Sequence, residues 1–190
     1  MSFLLAMVLA FLAPVLTQEK GKACDHCHNT GKVICDKHPP SECPLEDEVI
    51  FCSVVEGCPV CGGTAYVVCP QCRSETARQA LEARRALIQK RKAALQEIDD
   101  QMGRPLRKTE SAHFVFVWEM DKYKIDRRLV SAHEALHSYT ARMEKLFANY
   151  CATLATDETQ FQDKCRIFVW YLPQDHAQAA LKFCGSDATG

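Results

Sequence analysis

The chain has almost no excess of charge of either sign and no long membrane-spanning run. Its 23 basic residues are balanced by 24 acidic residues, which gives a formal net charge of −1. This balance provides no broad electrostatic attraction for a phosphate backbone and argues against a nucleic-acid-binding zinc finger. The longest apolar stretch, residues 3–16, has about fourteen residues, too few to span a bilayer core comfortably. We predict no nucleic-acid partner and no membrane span after signal removal.

The apolar stretch is typical of a signal peptide, although no Lys or Arg precedes it. We therefore predict a signal peptide at residues 1–17 and export to the periplasm or the extracellular space. The alternative is a protein tethered to the membrane by this segment, left uncleaved.

Cysteine is abundant, with 12 residues, and most of them belong to one pattern that occurs twice. Each copy has a C-x-x-C pair, a Thr, two apolar β-branched residues, and then a second pair, C-x-x-H in the first copy and C-x-x-C in the second. The resulting ligand set is Cys24, Cys27, Cys35, His38, Cys58, Cys61, Cys69 and Cys72. Tetrahedral zinc takes four such ligands, so eight predict two Zn²⁺ ions. Disulfides and redox-active C-x-x-C pairs are the alternatives.

From Cys24 to Cys72, over about fifty residues, the chain resembles the cysteine-rich zinc domain of DnaJ-type chaperones, which strings four such pairs in a row. The resemblance implies one ion on Cys24, Cys27, Cys69 and Cys72, and another on Cys35, His38, Cys58 and Cys61. Pairing within each copy is the competing arrangement. No His-Pro-Asp loop of a J domain is present. The resemblance thus implies a zinc-stabilised module at residues 18–73 that binds a polypeptide partner, and does not imply stimulation of an ATP-driven chaperone.

Four further cysteines are candidates for disulfides in an oxidising compartment. Cys43 and Cys52 lie in the segment between the copies, which two prolines and an acidic run predict to be a loop. A disulfide between them would stabilise that loop by about 2–3 kcal/mol. Cys151 and Cys165 form the second candidate pair, which leaves Cys184 without a partner.

Residues 74–104 form a predicted helical linker. No Gly or Pro occurs from Ser74 to Met102, and Gly103 marks the end of the helix. A narrow apolar stripe recurs at helical spacing, at Leu81, Ile88, Leu95, Ile98 and Met102. Our interpretation is a solvated connecting stalk, and a coiled-coil seam that makes an oligomer is the alternative.

The pattern of strands and helices in residues 105–190 predicts a partial α/β domain. The predicted order is a strand at 111–119, a helix at 126–154, a strand at 164–172 and a short helix at 174–183, which implies a parallel pair of strands joined by a right-handed crossover. Two strands make a poor sheet, so we expect the domain to be incomplete or completed by a partner. The predicted fold class for the whole chain is α+β.

The predicted long helix contains the motif His133-Glu134-x-x-His137. In zinc metallopeptidases such a motif supplies two zinc ligands and a general base. The helical stripe places His133 beside the apolar face and turns Glu134 and His137 away from it. Glu158, the carboxylate nearest to the family spacing for a third ligand, would lie roughly 25 Å along the helix axis from His137. We therefore expect surface or half-buried histidines, with a metallopeptidase as the alternative.

The pattern of strand, long helix, strand and short helix, over about eighty residues of the second half, resembles the front part of gluzincin-like domains in exported bacterial proteins. In that family the H-E-x-x-H motif normally lies on a later helix, so the resemblance does not give His133, Glu134 and His137 a catalytic role. The expected function is an exported zinc-binding protein whose cysteine-rich module serves structure and protein binding, attached to a truncated, non-catalytic gluzincin-like domain.

Overall fold

A computed structural model describes residues 23–38, 49–125 and 127–185. The predicted signal peptide, residues 1–17, lies outside the described residues. Among the residues that are described, no helix is both long and apolar enough to cross a membrane.

The described residues form strands and helices in a mixed arrangement, which confirms the α+β class. The strands are β1 Lys32–Ile34, β2 Phe51–Cys52, β3 Tyr66–Val68, β4 Lys108–Glu110, β5 Phe114–Trp118, β6 Lys122–Ile125, β7 Arg128–Ser131 and β8 Cys165–Val169. The α-helices are α1 Ser53–Glu56, α2 Glu75–Met102, α3 Ala132–Leu154 and α4 Pro173–Ala179. A 3₁₀ turn at Glu158–Gln160 follows α3, and a π-helical turn at Ala180–Cys184 extends α4.

The central sheet has four strands in the order β2-β4-β5-β8. The two strands predicted from sequence, β5 and β8, pair in parallel with α3 between them in the chain, as predicted. The sheet has two strands more than the predicted pair, because β4 pairs antiparallel with β5 and β2 pairs antiparallel with β4. Strand β2 lies in the segment predicted as a loop, so this part of the cysteine-rich region belongs to the sheet.

Helices cover both faces of the central sheet. The side chains of β5 alternate between the two faces and contribute to a core on each side. Val115 and Val117 pack with residues of α2, whereas Phe114, Phe116 and Trp118 pack with residues of α3. Every residue of β5 is buried. The run of aromatic and β-branched residues in this strand is therefore explained by burial on both faces.

Helix α2 packs against the sheet and is not a solvated stalk. Its predicted bounds are close to those observed, since Ser74 caps the first turn and Gly103 ends the helix in the left-handed conformation. All five residues of the predicted stripe are buried within the chain. The apolar stripe of α2 is therefore not available to form a coiled coil between two molecules of the protein.

Helix α3 begins later than predicted. Strands β6 Lys122–Ile125 and β7 Arg128–Ser131 pair antiparallel, and β7 occupies part of the range predicted as the start of this helix. Ser131 caps the helix, because its hydroxyl oxygen accepts a hydrogen bond from the backbone N–H of Glu134 at 3.2 Å. This cap satisfies one of the amide groups that a helix start leaves without a partner.

Candidate metal centres

Strands β1 and β3 pair antiparallel, although β2 and α1 lie between them in the chain, and this pair, here called the ligand hairpin, assembles the eight predicted ligands. Its register pairs Lys32 with Val68 and Ile34 with Tyr66. The first C-x-x-C pair precedes β1 and the last follows β3, so antiparallel pairing places them at the same end of the hairpin. The second and third pairs meet at the other end for the same reason. This topology gives the crosswise grouping and contradicts pairing within each copy.

The first set of ligands, here the four-cysteine group, contains Cys24, Cys27, Cys69 and Cys72, whose sulfur atoms all lie within 4.8 Å of one another. The Sγ atoms of Cys24 and Cys69 are 3.8 Å apart, and those of Cys27 and Cys72 are 3.7 Å apart. Zn–S bonds of about 2.3 Å in a tetrahedron put the sulfurs about 3.8 Å apart. A disulfide would bring them to about 2.05 Å. The spacing therefore fits thiolates around one zinc ion.

The second set, here the one-histidine group, contains Cys35, His38, Cys58 and Cys61, again with ligand atoms within 4.8 Å of one another. The Nε2 atom of His38 lies 3.3 Å from the Sγ atom of Cys61. Cys35 and Cys61 are buried, whereas Cys58 and His38 are partly exposed. Four nitrogen and sulfur donors gathered this closely match the number and type of ligands in closed structural zinc sites.

The two copies of the repeat hold their ligands with the same turn. The hydroxyl of Thr30 donates to the carbonyl oxygens of Cys27 and Lys32, and Thr64 makes the equivalent bonds to Cys61 and Tyr66. The turn also requires positive φ at three equivalent positions, which are residues 28, 29 and 31 in the first copy and 62, 63 and 65 in the second. The repeat in the sequence thus corresponds to a repeat in backbone conformation.

Helix α2 anchors this hairpin to the rest of the chain. The Nε atom of Arg85 donates to the carbonyl oxygen of Cys61 at 3.1 Å, at a ligand of the one-histidine group. A Cβ atom added to Gly31 would lie 2.8 Å from the Cβ atom of Ala77, so the hairpin approaches the first turn of α2 closely at that point. The two ligand groups are therefore held against α2, and the same helix packs on the central sheet.

Within two of the C-x-x-C pairs, the first thiol is the more acidic. Hydrogen bonding to the backbone N–H of Cys61 lowers the pKa of Cys58 to about 6. The backbone N–H of Cys72 likewise lowers the pKa of Cys69 to about 7. Desolvation raises the pKa of Cys61 and of Cys72 to about 11. The thiolate is the form of cysteine that binds a metal. The lowered pKa of Cys58 and of Cys69 therefore favours metal binding by one sulfur in each of these pairs.

A third set of ligand atoms, here the two-histidine group, was not predicted from the sequence. It contains Cys52 of β2 and the two histidines of the H-E-x-x-H motif, His133 and His137 of α3, with ligand atoms within 4.8 Å of one another. The Nε2 atoms of the two histidines are 3.0 Å apart. The expectation of surface or half-buried histidines is wrong, because both are less than a tenth exposed.

The sheet register explains how Cys52 reaches α3. Cys52 pairs with Thr109, and Thr109 pairs with Phe116, so the three residues form one row across the sheet. Phe116 packs on the face covered by α3, and side chains in one row share a face. Burial lowers the pKa of both histidines to about 4, with further repulsion of His133 by His38 and of His137 by His133. Both imidazoles are therefore neutral near pH 7.

The remaining carboxylates considered from the sequence do not join this group. Glu134 forms an ion pair with Arg128 of β7. Glu144 binds the Nδ1 atom of His113 at 2.7 Å, and Glu158 lies in the 3₁₀ turn beyond the end of α3. Burial raises the pKa of Glu144, but hydrogen bonds from Ser111 and His113 outweigh it and lower the pKa below its usual range.

The disulfide predicted between Cys151 and Cys165 is not formed, because both are free thiols. The connection between α3 and β8 is packed instead through Phe161, whose ring contacts the rings of Phe147 and Tyr150. The predicted Cys43–Cys52 disulfide is a different case, since Cys43 lies outside the described residues.

Comparison of the chain with protein-family models, with curated proteins and with solved structures gives no match.

Proposed function

We propose that this protein binds two zinc ions, one in the four-cysteine group and one in the one-histidine group, and that the resulting rigid module binds a polypeptide partner in an exported compartment. The observation that carries the proposal is the gathering of eight sulfur and nitrogen donors into two sets of four, each with its ligand atoms within 4.8 Å of one another. Closed sets of this kind contribute folding free energy directly when they bind zinc. Zinc also keeps the thiolates from forming disulfides with one another.

Two exposed apolar side chains near the one-histidine group support the protein-binding role. Ile34 is 42% exposed and precedes the ligand Cys35, while Val60 is 43% exposed and precedes the ligand Cys61. Both therefore lie at the same end of the hairpin, where the proposed zinc ion fixes the backbone. Apolar side chains held rigidly at a surface bind unfolded chains without a large loss of conformational entropy.

The test is suppression of aggregation. A chemically unfolded model polypeptide is diluted into buffer with the zinc-loaded protein, and light scattering is recorded. We expect wild-type protein to reduce the scattering, and the double variant Ile34→Ser/Val60→Ser to do so severalfold less. Zinc content should be unchanged, because neither residue is a ligand.

The matched control is Leu129→Ser, which removes an apolar side chain that is 61% exposed on β7. Suppression by this variant should equal that of wild type. Equal loss in the control and the double variant, or no suppression by wild-type protein, would contradict the protein-binding proposal.

The metallopeptidase alternative has less support. The carboxylate of Glu134, the residue that would act as general base, is bound to Arg128, and the two histidines are buried. We propose that residues 105–190 have a structural role in supporting the cysteine-rich module.

A further inference from the structure

The two-histidine group draws three side chains from two distant parts of the sequence. Cys52 comes from the edge strand β2, whereas His133 and His137 lie one turn apart at the start of α3. The i, i+4 spacing puts both imidazoles on the same side of the helix. Their Nε2 atoms converge to 3.0 Å, and the Sγ atom of Cys52 lies within 4.8 Å of the ligand atoms of both.

We propose that this group is a third zinc site, with Cys52 Sγ, His133 Nε2 and His137 Nε2 as the protein ligands. One thiolate and two imidazoles are a donor set that zinc accepts readily. Two Nε2 atoms 3.0 Å apart, with the sulfur of Cys52 within 4.8 Å of the ligand atoms of both histidines, form a group compact enough for a single cation. The competing arrangement is a hydrogen bond between the two imidazoles, one as donor and the other as acceptor, with Cys52 as a packing neighbour.

The third site differs from the other two in being open. The described residues supply three ligands to it, and a zinc ion with three protein ligands takes water or another small molecule in its fourth position. Glu134 does not act on that position, because its carboxylate binds Arg128. The ion thus joins β2 to α3 and does not carry out peptide hydrolysis.

This joint has a specific place in the fold. Strand β2 is at the edge of the central sheet and is only two residues long, so its pairing with β4 is a limited attachment for the cysteine-rich region. A metal bond from Cys52 to α3 fastens that region to the helix that covers one face of the sheet. The site is independent of the four-cysteine and one-histidine groups, since it shares no ligand with them.

The experiment counts zinc ions on the full chain by native mass spectrometry under reducing conditions. We expect three ions on the wild type and two on each of the variants Cys52→Ser and His133→Ala/His137→Ala. The matched controls change a cysteine and a histidine outside the three groups, Cys165→Ser and His176→Ala, and should keep three ions. Glu134→Gln should also keep three.

Two ions on the wild type, with no change in either variant, would overturn the third site and leave the double-zinc proposal intact. Fewer than two ions on the wild type would instead contradict the double-zinc proposal. Because a variant at a buried position can fail to fold, the wild type loaded with cadmium-113 provides a second measurement. Three cadmium resonances are expected, one of them from an ion with one sulfur and two nitrogen ligands, and only two resonances would overturn the proposal.

Discussion

At the scale of single residues, the two turns that carry the C-x-x-C pairs at Cys24 and Cys58 are more alike in structure than in sequence. Gly31 of the first copy corresponds to Ala65 of the second, and His28 and Asn29 correspond to Gly62 and Gly63, yet all of these residues have positive φ. The turn therefore imposes a backbone conformation that only some of these residues favour. The Thr30 and Thr64 hydrogen bonds help to hold the strained positions in this conformation.

Gly31 is the position where this conformation and close packing coincide. Its φ is 71°, and an added Cβ atom would lie 2.7 Å from the Cβ atom of Ser74. We expect Gly31→Ala to lower the free energy of unfolding by roughly 1–3 kcal/mol in urea denaturation of the zinc-loaded protein.

Gly57→Ala is the control for that substitution. Gly57 has a φ of −78°, and an added Cβ atom meets nothing within 4 Å. Its free energy of unfolding should stay within about 0.5 kcal/mol of wild type. A loss in the control as large as that in Gly31→Ala would show that the close approach to α2 is not the cause.

The eight ligands could be predicted from the sequence because their spacing is local. Cys52 could not be assigned in the same way, because its contact with His133 and His137 depends on strand pairings far apart in the chain. Because those strand pairings cannot be read from the sequence, His137 was predicted to point away from the core, whereas it is buried. A helical stripe identifies one buried face, and α3 has a second contact at its start.

At the scale of elements, α2 is held on the sheet by a buried ion pair as well as by its apolar stripe. Glu110 of β4 is fully buried, and each of its oxygens lies 2.7 Å from a nitrogen of Arg91. Lys164, next to β8, also lies 2.7 Å from Glu110 Oε1. One carboxylate therefore links α2, β4 and the segment before β8.

Removing this carboxylate should be costly. We expect Glu110→Ala to lower the free energy of unfolding by about 3–5 kcal/mol, because Arg91 and Lys164 would keep partly buried charges without a counterion. Urea denaturation monitored by circular dichroism provides the measurement.

The control is Glu97→Ala, which removes an exposed carboxylate of α2 that lies 3.8 Å from Arg166. Exposed pairs of this kind contribute about 0–1 kcal/mol. If both variants lose the same stability, the buried pair has no special role in holding α2.

The bounds of α2 were predictable, because its caps and its lack of Gly and Pro are local signals. The role of α2 in the sheet could not be predicted. A stripe of apolar residues shows that one face of a helix is buried, but it does not show which element buries that face. The hairpin β6–β7 was missed for a related reason: β6 has only four residues and β7 has four, too short for a clear period.

At the scale of the whole molecule, the cysteine-rich region and the α/β region are joined through one sheet. Strand β2 comes from between the two copies of the repeat, and β4, β5 and β8 come from the second half of the chain. The second half looked unfinished because its own strand β4 was not recognised and because the edge strand β2 comes from the first half. Composition marks where the cysteines are dense, but it does not show that a strand among them pairs with a distant part of the chain.

Zinc counting by native mass spectrometry distinguishes crosswise binding of two zinc ions between the copies of the repeat from binding within each copy. The variant Cys24→Ser/Cys27→Ser should lose one ion relative to wild type. Adding Cys69→Ser/Cys72→Ser should remove no further ion, because all four residues belong to the four-cysteine group. Adding Cys35→Ser/His38→Ala instead should remove a second ion. The reverse pattern would show pairing within each copy, and a wild-type chain without metal, with these cysteines joined in disulfides, would contradict the account altogether.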